Sequence, residues 1–275
     1  MTDTAFPARL ALVGAGKMGG AMLEGWLAAG LPGAAVSVHD PEPSDAIAAL
    51  AAAQGLATNP DPGARGPVDV LVLAIKPQML EAAAPALAPL VGADTLVVSV
   101  LAGKTVANLE AALPAARAVV RAMPNLPAAI GKGATGAFAN AATSEAQRVV
   151  ADTLLRASGL VEWVADEALI DAVTGVSGSG PAYVFALVEA LADAGRAAGL
   201  PEDLAMRLAR QTVVGAGALL GESDLPAATL RANVTSPGGT TAAGLAVLQR
   251  EDGGLADLVR DTVAAAKRRA GELSG

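Results

Sequence analysis

Short apolar runs alternate with amphipathic stretches through the first half of the chain. Near-continuous runs of Val, Leu, Ile and Ala predict strands that are buried on both faces, and the stretches between them have helical spacing. Two predicted helices, 18–29 and 44–54, are each followed directly by a glycine. This alternation predicts right-handed βαβ units and a doubly wound, Rossmann-like sheet. The predicted strands are 9–13, 35–39, 68–75, 95–100, 118–121 and 133–138.

The pattern changes near residue 165. From Glu167 onward the apolar positions follow helical periodicity, and no segment is typical of a strand. Loops rich in glycine and proline interrupt the helices at 177–181 and 235–239. We therefore predict an α/β domain over residues 1–165 and an all-α C-terminal domain over 166–275.

Composition excludes several classes of function. The 275 residues carry a net charge of −8 and only 2% aromatic residues, which argues against a nucleic-acid partner. There is no cysteine and only one histidine, so thiolate and multi-histidine metal sites are excluded and we expect no metal. No apolar run is long enough to span a membrane, and the first residues do not match a secretory signal. We therefore expect a cytoplasmic protein without a membrane partner.

The segment Gly14-Ala-Gly16-Lys-Met-Gly19 follows the first predicted strand and opens the first helix. In a dinucleotide-binding turn, the first glycine permits a tight turn and the second lets the backbone approach the pyrophosphate. The third allows close packing of helix on strand, while the helix N-terminus faces the phosphates. The segment predicts dinucleotide binding; the alternative is an ordinary glycine-rich turn.

Other candidate cofactor residues end the predicted strands. Asp40 follows the second strand, where a carboxylate accepts hydrogen bonds from the adenosine 2′-hydroxyl and repels a 2′-phosphate. The alternative for Asp40 is an Asp-Pro turn, and the neighbouring His39 fits a solvated or core-edge residue better than a catalyst. Lys76-Pro77 and Val100–Ala102 follow two further strands, where doubly wound sheets bind ligands. Taken alone, Lys76 fits a solvated lysine better than a catalyst.

Two loops of the helical half carry candidate substrate chemistry. Thr235–Thr241 leads into an apolar helix predicted over 242–248, so that backbone N–H groups and hydroxyls converge as in a cradle for a carboxylate. Ser177–Tyr183 also precedes a helix, and its glycines would let the backbone approach a flat ring. The alternatives are a plain capped helix for the first loop and a flexible joint for the second.

With these segments assembled, the chain resembles the pyrroline-5-carboxylate reductase family from Leu10 to Leu273. The most specific stretches are Asp171–Tyr183 and Asn233–Thr241, and Met123-Pro-Asn125 and Ala74–Pro77 are also similar to the family. The resemblance implies reduction of Δ1-pyrroline-5-carboxylate to L-proline, the last step of proline biosynthesis, by hydride transfer from NADPH or NADH. It also implies a homodimer with interleaved helical domains, often assembled into a larger ring.

The resemblance further implies roles for individual residues. Substrate contacts are expected from Glu167, Ser236, Thr240 and Thr241, with Thr241 as the catalytic hydroxyl beside the ring nitrogen. Members that prefer NADPH commonly carry a small hydroxyl or basic residue where this chain has Asp40, so we expect NADH to be used readily. Cofactor contacts are expected from Val13, Gly14, Ala15, Gly16, Lys17, Met18, Asp40, Asn59, Ala74, Ile75, Lys76, Pro77, Val100, Leu101, Ala102 and Asn233.

Two other functions remain open at this point. A related β-hydroxyacid dehydrogenase or imine reductase would share the glycine motif and a helical second domain. Alcohol oxidation, however, needs a base such as lysine in that domain, and between Glu167 and Gly271 the only lysine is Lys267. A non-catalytic dinucleotide sensor would not need the anion-binding loop Thr235–Thr241.

Overall fold

A mostly parallel sheet forms the centre of the first part of the chain. The structure is a computed structural model that describes residues 6–274. Within these residues the sheet has eight strands in the order β3-β2-β1-β4-β5-β6-β7-β8, and every neighbouring pair is parallel except β6 and β7. The strands are β1 Leu10–Val13, β2 Val36–His39, β3 Ala57–Thr58, β4 Val70–Leu73, β5 Leu96–Ser99, β6 Ala118–Met123, β7 Gly133–Ala139 and β8 Gly159–Trp163.

Strands β1 and β4 are apolar at every position because both faces of the sheet are covered there. In β1, Leu10 and Leu12 pack into one core cluster, and Ala11 and Val13 pack into a second cluster on the opposite face. All four residues are buried, and β4 alternates between the two clusters in the same way. A strand enclosed on both sides loses the polar–apolar alternation of a half-exposed strand, as the continuous apolar runs predicted.

Helices connect most of the strands and make up most of the remaining described residues. Helix α2 (Asp45–Gln54) follows the N-cap residue Ser44, whose hydroxyl accepts the Ile47 N–H, and is followed by the C-cap residue Gly55 in the left-handed conformation (φ 69°). A π-helical turn, Thr174–Gly178, lies between α7 and α8. The helices are α1 Lys17–Ala28, α2 Asp45–Gln54, α3 Pro62–Arg65, α4 Leu80–Leu87, α5 Val106–Ala112, α6 Glu145–Arg156, α7 Leu169–Val173, α8 Gly180–Ala197, α9 Glu202–Glu222, α10 Ala227–Asn233, α11 Thr240–Leu248 and α12 Leu255–Ser274.

The predicted α/β fold class and the six predicted strands are confirmed. Strands β3 and β8 were not predicted. Strand β3 has two residues, and β8 lies at the sheet edge with only Val161 fully buried. Neither therefore carries the apolar run that identified the central strands.

The chain divides into two compact units. The first runs to Gly178 and takes in the end of the chain from Ala266, and the second is Ser179–Ala265. The domain boundary predicted near residue 165 therefore lies before the boundary between the two compact units. One short helix and one π turn lie between the two boundaries, and both pack with the sheet. Among the described residues no strand follows Trp163, and no helix in residues 6–274 has the length and apolar character needed to cross a membrane.

Candidate functional site

The three glycines of the motif, two between β1 and α1 and one in the first turn of α1, have three different structural reasons to be glycine. Gly14 has φ +88°, and a Cβ there would lie 2.8 Å from the carbonyl oxygen of Ala74. A Cβ at Gly19 would overlap the carbonyl oxygen of Gly14, so this glycine permits the close contact of helix and strand. A Cβ at Gly16 would meet nothing within 4 Å, which leaves open space beside the helix start.

The N-terminus of α1 fits a phosphate group. Gly16 is the N-cap residue, and no side chain caps the helix there. The first-turn amides of a helix lack acceptors within the helix and lie at its positive end. A dinucleotide pyrophosphate in the open space beside Gly16 would supply those acceptors, so the loop fits the cofactor that the sequence predicted.

The carboxylate of Asp40 fixes the glycine loop to the end of β2. Its Oδ2 accepts the Ala15 N–H at 2.7 Å, and its Oδ1 accepts the Glu42 N–H at 3.0 Å. The Gly14 N–H also donates to the carbonyl of His39 at 2.9 Å. Asp40 thus has a role within the protein that sequence reasoning missed, because it depends on pairing between two distant loops.

Asn59 holds the backbone of Asp40 on both sides. Its Nδ2 donates to the Asp40 carbonyl at 2.7 Å, and its Oδ1 accepts the Asp40 N–H at 2.8 Å. Its φ of 47° is the one positive value at a non-glycine residue in the described part of the chain. The predicted cofactor residues Asp40 and Asn59 therefore lie together at the end of β2.

His39 is a half-buried residue at the edge of the core. Its Nε2 lies 3.2 Å from the Ser37 hydroxyl. Burial lowers the pKa of His39 below its ordinary value, and the positive charge of Arg65 lowers this pKa further. A neutral histidine at the edge of the core agrees with the sequence interpretation. The effect on His39 also shows that the charge of Arg65 reaches the end of β2, although Arg65 is distant in sequence.

The segments that follow β4 and β5 lie at the same edge of the sheet as the glycine loop. The Ala74 N–H donates to the Val13 carbonyl at 2.8 Å, and the Val100 N–H donates to the Leu73 carbonyl at 3.0 Å. Lys76 is exposed and precedes a 3₁₀ turn that begins at Pro77. The structure thus gathers at one edge the predicted cofactor residues of 13–18, 40, 59, 74–77 and 100–102.

Glu167 lies in an ion-pair cluster with a buried arginine. Its Oε1 accepts from Arg121 Nη1 at 3.1 Å and from the Val106 N–H at 2.8 Å. Arg121 Nη2 donates to Asp171 Oδ1 at 3.3 Å, and the Arg121 side chain is only 5% exposed. The cluster joins β6, the start of α5 and the α7 segment. The arginine within the otherwise apolar strand β6 is the sequence signal that could have predicted this cluster, but no prediction rested on it.

Asn125 supports the predicted ring-facing loop. Its Nδ2 donates to the Ser177 carbonyl at 3.0 Å, and its Oδ1 accepts the Ala134 N–H at 2.9 Å. A Cβ at Gly178 would lie 2.8 Å from Met123 Cε. The Met123–Asn125 stretch therefore holds the π turn, a helical irregularity that is common at functional sites.

The second unit carries the other predicted substrate loop. Helix α11 begins at Thr240, two residues before the predicted start, and its N-cap residue is Gly239 without a side-chain cap. A Cβ at Gly239 would lie 2.5 Å from the Ser236 hydroxyl oxygen. Ser236, Thr240 and Thr241 are exposed, and Asn233 is the last residue of α10. A glycine cap leaves the helix amides open to a carboxylate.

The fold and the glycine loop define a dinucleotide-binding oxidoreductase. Residues 9–103 match the family model described as NADP oxidoreductase coenzyme F420-dependent, and residues 167–273 match the model described as pyrroline-5-carboxylate reductase dimerisation. The second model covers α7 and all later helices except the last residue of α12.

Comparison with whole proteins narrows this class. The chain is 44% identical to pyrroline-5-carboxylate reductase of Pseudomonas aeruginosa over 97% of both chains. A pyrroline-5-carboxylate reductase structure from Coxiella burnetii is 35% identical, covers 98% of this chain and 99% of its own, and has a TM-score of 0.89. The Plasmodium falciparum pyrroline carboxylate reductase structure with NADP bound is 26% identical over 98% of both chains, with a TM-score of 0.79. The chain belongs to the pyrroline-5-carboxylate reductase family.

Proposed function

We propose that the protein reduces Δ1-pyrroline-5-carboxylate to L-proline with NADPH or NADH, as the last step of proline biosynthesis in the cytoplasm. The observation that carries this proposal is the glycine loop Gly14–Gly19, open for a pyrophosphate, in a chain of this family. The NADP-bound relative supports the same class of cofactor. Residues 1–165 would bind the cofactor, and residues 166–275 would bind the substrate and form the dimer.

The proposed cofactor site is the edge of the sheet formed by the carboxyl ends of the parallel strands. The first-turn amides of α1 would hold the pyrophosphate, and Asp40 and Asn59 would lie toward the adenosine. Ala74–Pro77 and Val100–Ala102 would face the nicotinamide half, and Asn233 would add a polar contact. When bound, the reduced nicotinamide supplies the hydride.

The loop before α11 is the proposed substrate site. Ser236, Thr240 and the free amides of the helix would hold the carboxylate, and Glu167 would lie near the same substrate. A protonated imine is the better electrophile, and its N–H would donate to the Thr241 hydroxyl oxygen. Positioning can contribute about 7–11 kcal/mol, whereas one hydrogen bond to a charged group contributes about 1.5–3 kcal/mol. Orientation of the ring therefore outweighs the single hydrogen bond.

Initial rates test this function. Purified protein with pyrroline-5-carboxylate should oxidise NADH or NADPH and form proline in equal amount. Dinucleotide binding without turnover would favour the sensor, and oxidation of a β-hydroxy acid in place of imine reduction would favour the dehydrogenase.

Self-association is proposed for the helical region. The dimerisation model matches 167–273, and the second unit exposes many large apolar side chains, more than an isolated surface usually carries. Sedimentation equilibrium at micromolar concentration should give a homodimer or a larger ring of dimers, and a monomer would contradict the proposal. The exposed side chains include Val184, Phe185, Leu187, Leu191, Met206, Leu208, Val214, Leu219, Leu220, Val247, Leu248, Leu258 and Val259.

A further inference from the structure

We propose that Asn59 is a positioning residue that shapes the pyrophosphate loop through Asp40, and so supports NADH and NADPH binding to the same extent. The inference rests on the proposed dinucleotide site. It differs from a direct contact between Asn59 and the cofactor, which is what family resemblance alone implies.

The first step joins Asn59 to Asp40. The Asn59 N–H donates to the Val38 carbonyl at 2.7 Å, so Asn59 follows directly on the pairing of β3 with β2. Its side-chain amide then accepts the Asp40 N–H and donates to the Asp40 carbonyl, as the backbone of a further strand residue would. The left-handed backbone at φ 47° turns the chain here, and Asn is among the few non-glycine residues that adopt it readily. Asn59 thus holds the backbone of Asp40 beyond the end of the strand.

The second step joins Asp40 to the loop. Its Oδ2 accepts the Ala15 N–H at 2.7 Å, the short distance of a charge-assisted hydrogen bond. Ala15 lies between Gly14 and Gly16, next to the N-cap of α1, and is 4% exposed. The Ala15 N–H is therefore hydrogen-bonded to Asp40 and does not face the cofactor. The position of Ala15 in turn determines where the Gly16 backbone faces the phosphates.

The two steps act in series. Without the Asn59 side chain, Asp40 loses both backbone restraints and its carboxylate holds Ala15 less firmly. Pyrophosphate is common to both cofactors, and the charge of the Asp40 carboxylate remains when only the Asn59 side chain is lost. A loosened loop should therefore weaken both cofactors by about the same factor. A residue that contacts the 2′ position would instead change the ratio of the two affinities.

Asn59→Gly tests the inference because glycine keeps the positive φ and removes only the side chain. The dissociation constants of NADH and NADPH are measured by fluorescence titration of the full chain. Both should rise roughly tenfold, the scale of one or two lost hydrogen bonds, with an unchanged ratio. Asp61→Ala is the matched control, since Asp61 caps a neighbouring turn through the Gly63 N–H and has no hydrogen bond to Asp40 in the described structure. It should leave both constants within about twofold of wild type.

A double-mutant cycle separates this route from general loosening of the fold. If Asn59 acts through Asp40, then Asp40→Ala combined with Asn59→Gly should bind no more weakly than Asp40→Ala alone. If the losses of affinity in the two single variants multiply in the double variant, the inference is wrong. It is also wrong if Asn59→Gly changes the dissociation constant of only one cofactor or of neither. Titration does not depend on turnover, so a wild type that binds both dinucleotides but does not reduce pyrroline-5-carboxylate would refute the proposed reaction alone. A wild type that binds neither would overturn both.

Discussion

Arg121 Nη1 donates to Glu167 Oε1 at 3.1 Å, and this contact ties an interior strand to the segment that leads into the helical region. The same carboxylate oxygen accepts the first N–H of α5 from Val106. Glu167 therefore has a structural role in addition to the substrate role that we propose for it. Because the Arg121 side chain is almost fully buried, its charge depends on two carboxylate partners, Glu167 and Asp171.

Glu167→Ala should destabilise the protein by about 2 kcal/mol, the scale of a hydrogen bond to a charged group. The loss should not be larger because Asp171 remains beside Arg121. Urea unfolding measures it, with Glu162→Ala on the exposed side of β8 as the control, which should change stability by less than about 0.5 kcal/mol. Unchanged stability with a raised KM for the imino acid would show that Glu167 acts mainly on substrate.

Two glycines of the loop should respond to alanine in opposite ways. Gly16→Ala adds a methyl group to open space, so the melting temperature should stay the same while dinucleotide affinity falls. Gly19→Ala forces a methyl group onto the Gly14 carbonyl and should cost about 1–3 kcal/mol of stability. Thermal unfolding and cofactor titration on both variants check this. Equal loss of stability in the two would contradict the assignment of the open space beside Gly16 to the pyrophosphate.

Asp40→Ser should weaken both cofactors and raise the relative efficiency of NADPH. Both are weakened because Ala15 loses its acceptor, and NADPH is weakened less because a carboxylate no longer repels its 2′-phosphate. The ratio of kcat/KM for the two cofactors measures the change. Glu42→Gln is the control, since it removes one nearby negative charge without contact to the loop. An unchanged ratio in Asp40→Ser would place the 2′ group elsewhere.

Parts of the fold and site whose cause is local in sequence were predictable. Strands β1 and β4 carry unbroken apolar runs because both faces are covered, and the glycine motif lies within one turn. What was missed depends on pairing at a distance. The Asp40 carboxylate meets an amide 25 residues away, and Arg121 meets Glu167 across 46 residues. Neither partner can be recognised from its own neighbourhood in the sequence.

The helix cap before α11 also required the structure. A Ser-Pro-Gly-Gly-Thr-Thr sequence before an apolar run predicted a helix that begins at 242. The helix instead begins at Thr240 behind Gly239, with no side chain as its cap. The hydroxyls of Ser236, Thr240 and Thr241 therefore do not cap α11, and a substitution at Thr241 removes no helix cap.

Thr241→Ala should lower turnover without lowering stability. If its hydroxyl accepts the N–H of the protonated imine, the variant loses about 1.5–3 kcal/mol of transition-state stabilisation, roughly a tenfold to hundredfold fall in kcat/KM. Cofactor affinity should stay the same, since the loss concerns the imine alone. Because α11 has a glycine cap, the melting temperature should also stay the same, whereas loss of a side-chain cap would cost about 1 kcal/mol.

Thr262→Ala is the matched control for Thr241→Ala. It removes the hydroxyl of a half-buried helical threonine that donates to the Leu258 carbonyl, and it should leave kcat/KM unchanged. Full activity with a lowered melting temperature in Thr241→Ala would show that Thr241 is structural and that another residue lies beside the imine.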